Sequence, residues 1–104
     1  MRMILTLATC ASLMSGPILA DELFDQGKEV FQQQAQPSCT VCHTLNDAGS
    51  SGAIGPKLDD LKPTAEQVSN AVSGGVGIMP AFEELLSAEQ IKAVAHYVAT
   101  ASRQ

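Results

Sequence analysis

Hydrophobic residues recur with helical spacing in three segments of this chain of 104 residues. In the first segment, five residues share one helical stripe: Leu23, Phe24, Gly27, Val30 and Phe31. Intervals of three, four and seven are typical of a helix that buries one face, so the pattern predicts a helix over residues 22–35. Pro37 should end it, because proline lacks a backbone N–H and restricts the residue before it.

The other two segments each begin with a capping box. Thr64 and Gln67 are spaced so that each side chain can bond the other residue's backbone N–H, which predicts a helix over 65–73, ended by glycine. Ser87 and Gln90 repeat the pattern before a helix over 88–101. Residues 44–63 show neither period and are expected to form ordered loop. With no alternation of period two, the sequence predicts an all-α fold of three to four helices and long loops.

The first twenty residues have the layout of a secretory signal peptide. A cationic start leads into an apolar run over residues 3–14, then Gly16-Pro17 and the small residue Ala20. The run is shorter than the roughly 20 residues that a membrane span needs. We expect cleavage after Ala20, export to the periplasm and a single domain over residues 21–104. Acylation at Cys10 and a retained signal acting as an anchor are the alternatives.

The chain is acidic and small. Its net charge is −5, and loss of Arg2 with the signal would make it about −6. Phosphate backbones and anionic lipid should repel such a chain, whereas basic protein surfaces should attract it. A domain of this size often needs a cofactor, metal or disulfide for adequate stability.

The sequence Cys39-Thr40-Val41-Cys42-His43 has the spacing of a c-type haem attachment site. On one helical turn both sulfurs can reach the two vinyl groups of a haem, and the adjacent imidazole can bind the iron. A zinc site would need more ligands than the sequence offers, a thioredoxin-like pair would need a βαβ pattern, and a disulfide over so short a loop would add little. We therefore expect one covalently bound haem c, with His43 as an iron ligand.

Two residues could bind the other face of that iron. Met79 lies in a glycine-rich loop before Pro80, which restricts its backbone, whereas His96 lies within the last predicted helix. The sequence favours Met79 over His96. Histidine and methionine together fill both axial positions and raise the reduction potential, which favours electron transfer over substrate chemistry.

The order of these motifs resembles that of the class I monohaem cytochromes c of bacteria. Gly55-Pro56-Lys57-Leu58 resembles the loop that follows the attachment motif in that family, and Met79-Pro80-Ala81-Phe82 resembles the loop of the distal ligand. The resemblance implies the cytochrome c fold and a hydrogen bond from the His43 ring to the carbonyl of Pro56. It also implies that the first and last helices cross at Gly27, with Phe31 and Tyr97 packed at the crossing.

The expected function is one-electron transfer by a periplasmic carrier that is not itself an enzyme. Its partners would be a redox protein donor and acceptor: a periplasmic dehydrogenase, oxidising sulfite or a small organic molecule, and a terminal oxidase or bc1-type complex. We expect no nucleic acid or membrane partner after signal cleavage, and a monomer or transient complex. The alternative function is a haem-based gas sensor or weak peroxidase with a labile distal ligand.

Overall fold

The computed structural model describes residues 19–104. Within them lie five α-helices: α1 (Ala20–Glu29), α2 (Cys39–Cys42), α3 (Leu58–Leu61), α4 (Ala65–Gly74) and α5 (Ala88–Ala101). A π-helical turn, Val30–Gln34, continues α1, and two short strands, β1 (Thr44–Leu45) and β2 (Ser50–Ser51), form an antiparallel pair. None of these helices is long and apolar enough to cross a bilayer. The signal-peptide prediction falls almost wholly on residues 1–18, outside the described residues.

The three long predicted helices are present. α4 and α5 each begin at the predicted capping box, with Thr64 and Gln67 bonded reciprocally at 3.1 and 2.9 Å, and Ser87 and Gln90 at 3.1 and 2.8 Å. The first helix begins at Ala20 rather than at residue 22, and its last turn widens to a π-helix before the chain turns at Ala35.

The core is formed where α1 packs across α5. Gly27 is buried at this crossing, and a Cβ atom there would collide with the carbonyl oxygen of Ala93 and the Cβ of Tyr97. The ring of Tyr97 meets the rings of Phe24 and Phe31 edge to face, with centroids 4.8 and 5.7 Å apart, a favourable arrangement for aromatic pairs. The structure therefore has the crossing of first and last helices that the resemblance implied.

The segment over residues 44–63 is more regular than the sequence indicated. The β1–β2 pair encloses a turn at residues 46–49, and Gly49 has a positive φ of 65°. Asp59, in the single turn of α3, accepts a hydrogen bond from the backbone N–H of Asn46 at 3.0 Å. Strands of two residues are too short to produce a visible alternation, which is why the sequence predicted only loop here.

The chain end is fastened to the connection between α3 and α4. The guanidinium of Arg103 donates to the carbonyl of Lys62 at 2.7 Å and to that of Pro63 at 2.8 Å. A third bond, at 2.6 Å, goes to the carbonyl of Ala99 in the last turn of α5. Because Pro63 also lines the main cavity, this contact holds one wall of the candidate site.

Candidate functional site

The two cysteines of the attachment motif lie on α2, a single turn that Ser38 fixes at its N-terminus. The Ser38 hydroxyl accepts from the backbone N–H of Thr40 at 3.3 Å and lies 3.1 and 3.0 Å from the carbonyl oxygens of Phe31 and Gln32. These contacts join the attachment turn to the π-helical turn. Cys39 and Cys42 are free thiols, both partly buried.

Burial raises the pKa of the Cys39 thiol to about 11, with a smaller contribution from Cys42 in the same direction and an opposing hydrogen bond. Before any covalent attachment, Cys39 is therefore protonated at neutral pH. A protonated thiol is a poor nucleophile and a poor metal ligand.

The imidazole of His43 is held by one of its two nitrogens. Nδ1 lies 2.7 Å from the carbonyl oxygen of Pro56, so Nδ1 donates its proton to this bond and Nε2 is the nitrogen left for a metal. The loop containing Pro56 is itself fixed by a bond of 2.7 Å from the Gly55 N–H to the carbonyl of Cys42. A hydrogen bond from the ring nitrogen that does not bind metal orients a histidine ligand and makes it more basic.

Met79 lies at the end of a tight turn. Val76 and Met79 exchange backbone hydrogen bonds of 3.1 and 2.9 Å, and Gly77 within the turn has a positive φ of 56°. Gly75, with φ 76°, packs against the backbone of Met79. A Cβ atom at position 75 would lie 2.7 Å from the Met79 carbonyl oxygen. The methionine backbone is thus fixed on both sides.

One cavity of about 770 Å³ brings the predicted site residues together. It is lined by all five of them: Cys39, Cys42, His43, Pro56 and Met79. The remaining walls are almost entirely apolar, from Phe31, Leu58, Val72, Phe82, Val94 and Val98 among others. Among the described residues that line it, none is Asp, Glu, Lys or Arg.

The cavity fits a haem in size and in donor chemistry. It falls in the upper range of ligand pockets, about 300 to 1,000 Å³ with mostly apolar walls. The donors it offers are two free thiols, one imidazole with Nδ1 already bonded, and one thioether. Thiols that can form thioethers, together with nitrogen and sulfur ligands for iron, are the set that a c-type haem requires.

His96 lies apart from this cavity. It is partly buried in a separate groove between α4 and α5, beside Glu66, Ser69 and Lys92. His96, the alternative to Met79 as second iron ligand, therefore lies on another part of the surface. Sequence reasoning missed Ser38 and the contact of Gly75 with Met79, because each depends on how the backbone turns between nearby residues rather than on a hydrophobic period or a known motif.

Fold and cavity together define a small helical cytochrome of the c type, and comparisons with known proteins agree. A family model described as cytochrome c oxidase, cbb3-type, subunit III matches residues 22–98. The chain is 40% identical to cytochrome c6 of Microcystis aeruginosa over 65 residues, covering 59% of this chain and 80% of the relative. It is 27% identical to cytochrome c-551 of Halorhodospira halochloris over 78 residues, covering 69% and 92%.

Among solved structures, the c-type cytochrome SorU from Sinorhizobium meliloti superposes with a TM-score of 0.76 at 48% sequence identity, covering 79% of this chain and 93% of that one. The chain belongs to the cytochrome c family and is a small monohaem class I cytochrome c. Its cofactor is a covalently bound haem c, and its general function is that of an electron carrier. The predicted fold class and cofactor are confirmed.

Proposed function

We propose that this protein is a one-electron carrier whose haem is held by thioethers from Cys39 and Cys42 and whose iron is bound by His43 and Met79. The observation that carries the proposal is that the imidazole and the thioether line the same apolar cavity as the two thiols. The competing ligand, His96, lies in a different groove.

The bound haem supplies an iron that gains and loses one electron. His43 presents Nε2 as the ligand atom, because Nδ1 is bonded to Pro56. Met79 offers a neutral, polarisable sulfur from a turn closed by two backbone hydrogen bonds. Because His43 and Met79 would both bind the iron, they would leave it no free position for a substrate, so in this proposal the protein carries electrons and is not itself an enzyme.

The rigidity of the Met79 turn favours a carrier over a sensor or peroxidase. A gas sensor needs a distal ligand that leaves, whereas this turn is fixed by Val76 on one side and Gly75 on the other. The apolar walls of the cavity also favour a carrier, because they would limit the access of water to a bound haem and so raise its reduction potential.

The surface proposed for contact with redox partners consists of four exposed apolar side chains, which we call the apolar rim: Ile54, Leu61, Val76 and Ile78. All four line the cavity mouth, and Ile78 is 85% exposed. Such a surface supports brief apolar contact with a donor and an acceptor. We propose a periplasmic location, a terminal oxidase as acceptor, and a periplasmic dehydrogenase or a bc1-type complex as donor, with a sulfite-oxidising dehydrogenase the first to assay.

The experiment is optical spectroscopy of the haem-loaded protein with two variants. Wild-type protein should show a sharp reduced α-band and, when oxidised, the weak near-infrared charge-transfer band of a sulfur-ligated iron. Met79→Ala should lose the near-infrared band, and His96→Asn, the matched control, should keep it. Loss of the band in His96→Asn but not in Met79→Ala would contradict the ligand proposal. Wild-type protein that lacks the band and binds carbon monoxide at once would favour the sensor or peroxidase.

A further inference from the structure

The segment over residues 50–56, which we call the strap, lies directly across the end of the attachment turn. It is tied there by several contacts to residues 42–44. Thr44 pairs with Ser51 in the β1–β2 ladder, and the Thr44 hydroxyl donates to the carbonyl of Gly52 at 3.0 Å. The Gly55 N–H donates to the carbonyl of Cys42, and Pro56 accepts from the His43 ring, both at 2.7 Å.

Gly55 is in contact with the His43 ring itself. A Cβ atom at Gly55 would lie 2.6 Å from Cε1 of His43, 2.9 Å from Nδ1 and 3.1 Å from Nε2. Contacts as short as the first two do not occur, so an alanine there would force either the ring or the strap to move. Because Gly55 is not among the glycines with positive φ, the backbone conformation does not require glycine. The space taken by the ring does.

The rotation of an imidazole is otherwise weakly determined. The torsion between Cβ and the ring of a histidine has a broad energy profile, so the side chain does not set the plane of its own ring. In this structure two neighbouring groups do so: the Pro56 carbonyl fixes the position of Nδ1, and the backbone of Gly55 limits the ring on the side of Cε1.

We propose that Gly55 is a positioning residue for His43, setting the rotation of the imidazole and thereby both its hydrogen bond to Pro56 and the direction of Nε2. The inference rests on the proposed function, in which Nε2 binds the haem iron. A methyl group at position 55 displaces the ring or the strap and lengthens the bond between Nδ1 and Pro56. A weaker bond makes the imidazole less basic, stabilises the oxidised iron less, and raises the reduction potential.

The test compares haem-loaded wild-type protein with Gly55→Ala and with a matched control, Gly74→Ala. Gly74 is the last residue of α4, and a Cβ there meets nothing within 4 Å. In Gly55→Ala the Nδ1 proton of His43 should exchange with solvent faster, as measured by NMR, and the reduction potential should shift upward. Gly74→Ala should match wild type in both measurements. Unchanged proton exchange and potential in Gly55→Ala would overturn the proposal.

A second measurement needs no variant, in case Gly55→Ala does not fold. In the reduced protein, the α protons of Gly55 should show a strong nuclear Overhauser effect to the Hε1 proton of His43, and its absence would overturn the proposal. NMR of the wild-type protein also tests the ligation of iron by His43 separately from the contact between Gly55 and the ring. If oxidation leaves the His43 resonances without iron-induced shifts, the ligand proposal fails, and the Overhauser effect still reports whether Gly55 contacts the ring.

Discussion

Tyr97 is the largest fully buried side chain among the described residues. Its hydroxyl donates to Oδ2 of Asp47 at 2.7 Å, and the same oxygen lies 3.3 Å from Nζ of Lys28. Burial, followed by the hydrogen bond and the negative charge of Asp47, raises the pKa of the Tyr97 phenol well above its usual range. This one residue connects α1, α5 and the turn between β1 and β2.

Replacing Tyr97 by phenylalanine should lower the free energy of unfolding of the haem-loaded protein by about 1.5 to 3 kcal/mol at neutral pH, since one hydrogen bond to a charged group is lost. The folded state binds the phenolic proton more tightly than the unfolded state does. The stabilising effect is therefore complete below about pH 10, the usual pKa of tyrosine, and is lost as the pH rises beyond it. Denaturant titrations of both proteins across this pH range measure the difference.

Asp47→Asn provides the control for Tyr97→Phe. In a double-mutant cycle the two substitutions should be less than additive, because both remove the same hydrogen bond. Additive effects, or a difference between wild type and Tyr97→Phe that persists unchanged at high pH, would contradict this account of the bond.

The residues of the candidate site differ in how visible they are in the sequence. Cys39, Cys42 and His43 are adjacent, so their spacing alone indicates haem, and Met79 stands out as the methionine of a glycine-rich loop. Gly55 and Asp47 act on side chains 12 and 50 positions away. Such contacts arise from tertiary packing, and no local sequence pattern indicates them.

At the scale of elements, the helices that carry their own start signals were predicted well. Thr64 and Ser87 begin α4 and α5 as expected because a capping box is local chemistry, complete within four residues. The β1–β2 pair and α3 have no such signal. They are short, and contacts such as the one between Asp59 and Asn46 hold them in place.

The close contact between α1 and α5 predicts how a substitution at their crossing affects stability. Gly27→Ala should destabilise the protein by about 1 to 3 kcal/mol through overpacking, although alanine favours an isolated helix by about 1 kcal/mol relative to glycine. The clash decides the sign, because the added methyl meets the backbone of Ala93 rather than a flexible side chain. Thermal unfolding monitored by circular dichroism measures the change.

Gly74→Ala is the matched control for Gly27→Ala, because it places the same methyl in a helix with open space around it. It should leave stability unchanged or raise it slightly. If both variants gained stability, α1 and α5 would not be in close contact at Gly27.

At the scale of the whole molecule, the chain carries a net negative charge, whereas the surface around the cavity mouth is apolar. The net charge of −5 belongs to the chain as a whole. The cavity mouth is bordered by the apolar rim, and no Asp, Glu, Lys or Arg of residues 19–104 lines the cavity. Long-range attraction to a basic partner and short-range contact at the rim are therefore separable. The first depends on ionic strength, and the second does not.

Electron exchange with a basic redox partner should accordingly slow as salt is added. Electrostatic steering accelerates association by roughly 10-fold to 1,000-fold, and the screening length falls to about 10 Å at 0.1 M salt, so we expect a decrease of about tenfold or more in the bimolecular rate constant. Stopped-flow kinetics with a purified sulfite-oxidising dehydrogenase, over a series of salt concentrations, measure it. Ile78→Ser should lower the rate by the same factor at every salt concentration, because it removes apolar contact and no charge. A rate that rises with salt would mean that the partner surface is acidic, and a rate unaffected by Ile78→Ser would mean that docking occurs away from the apolar rim.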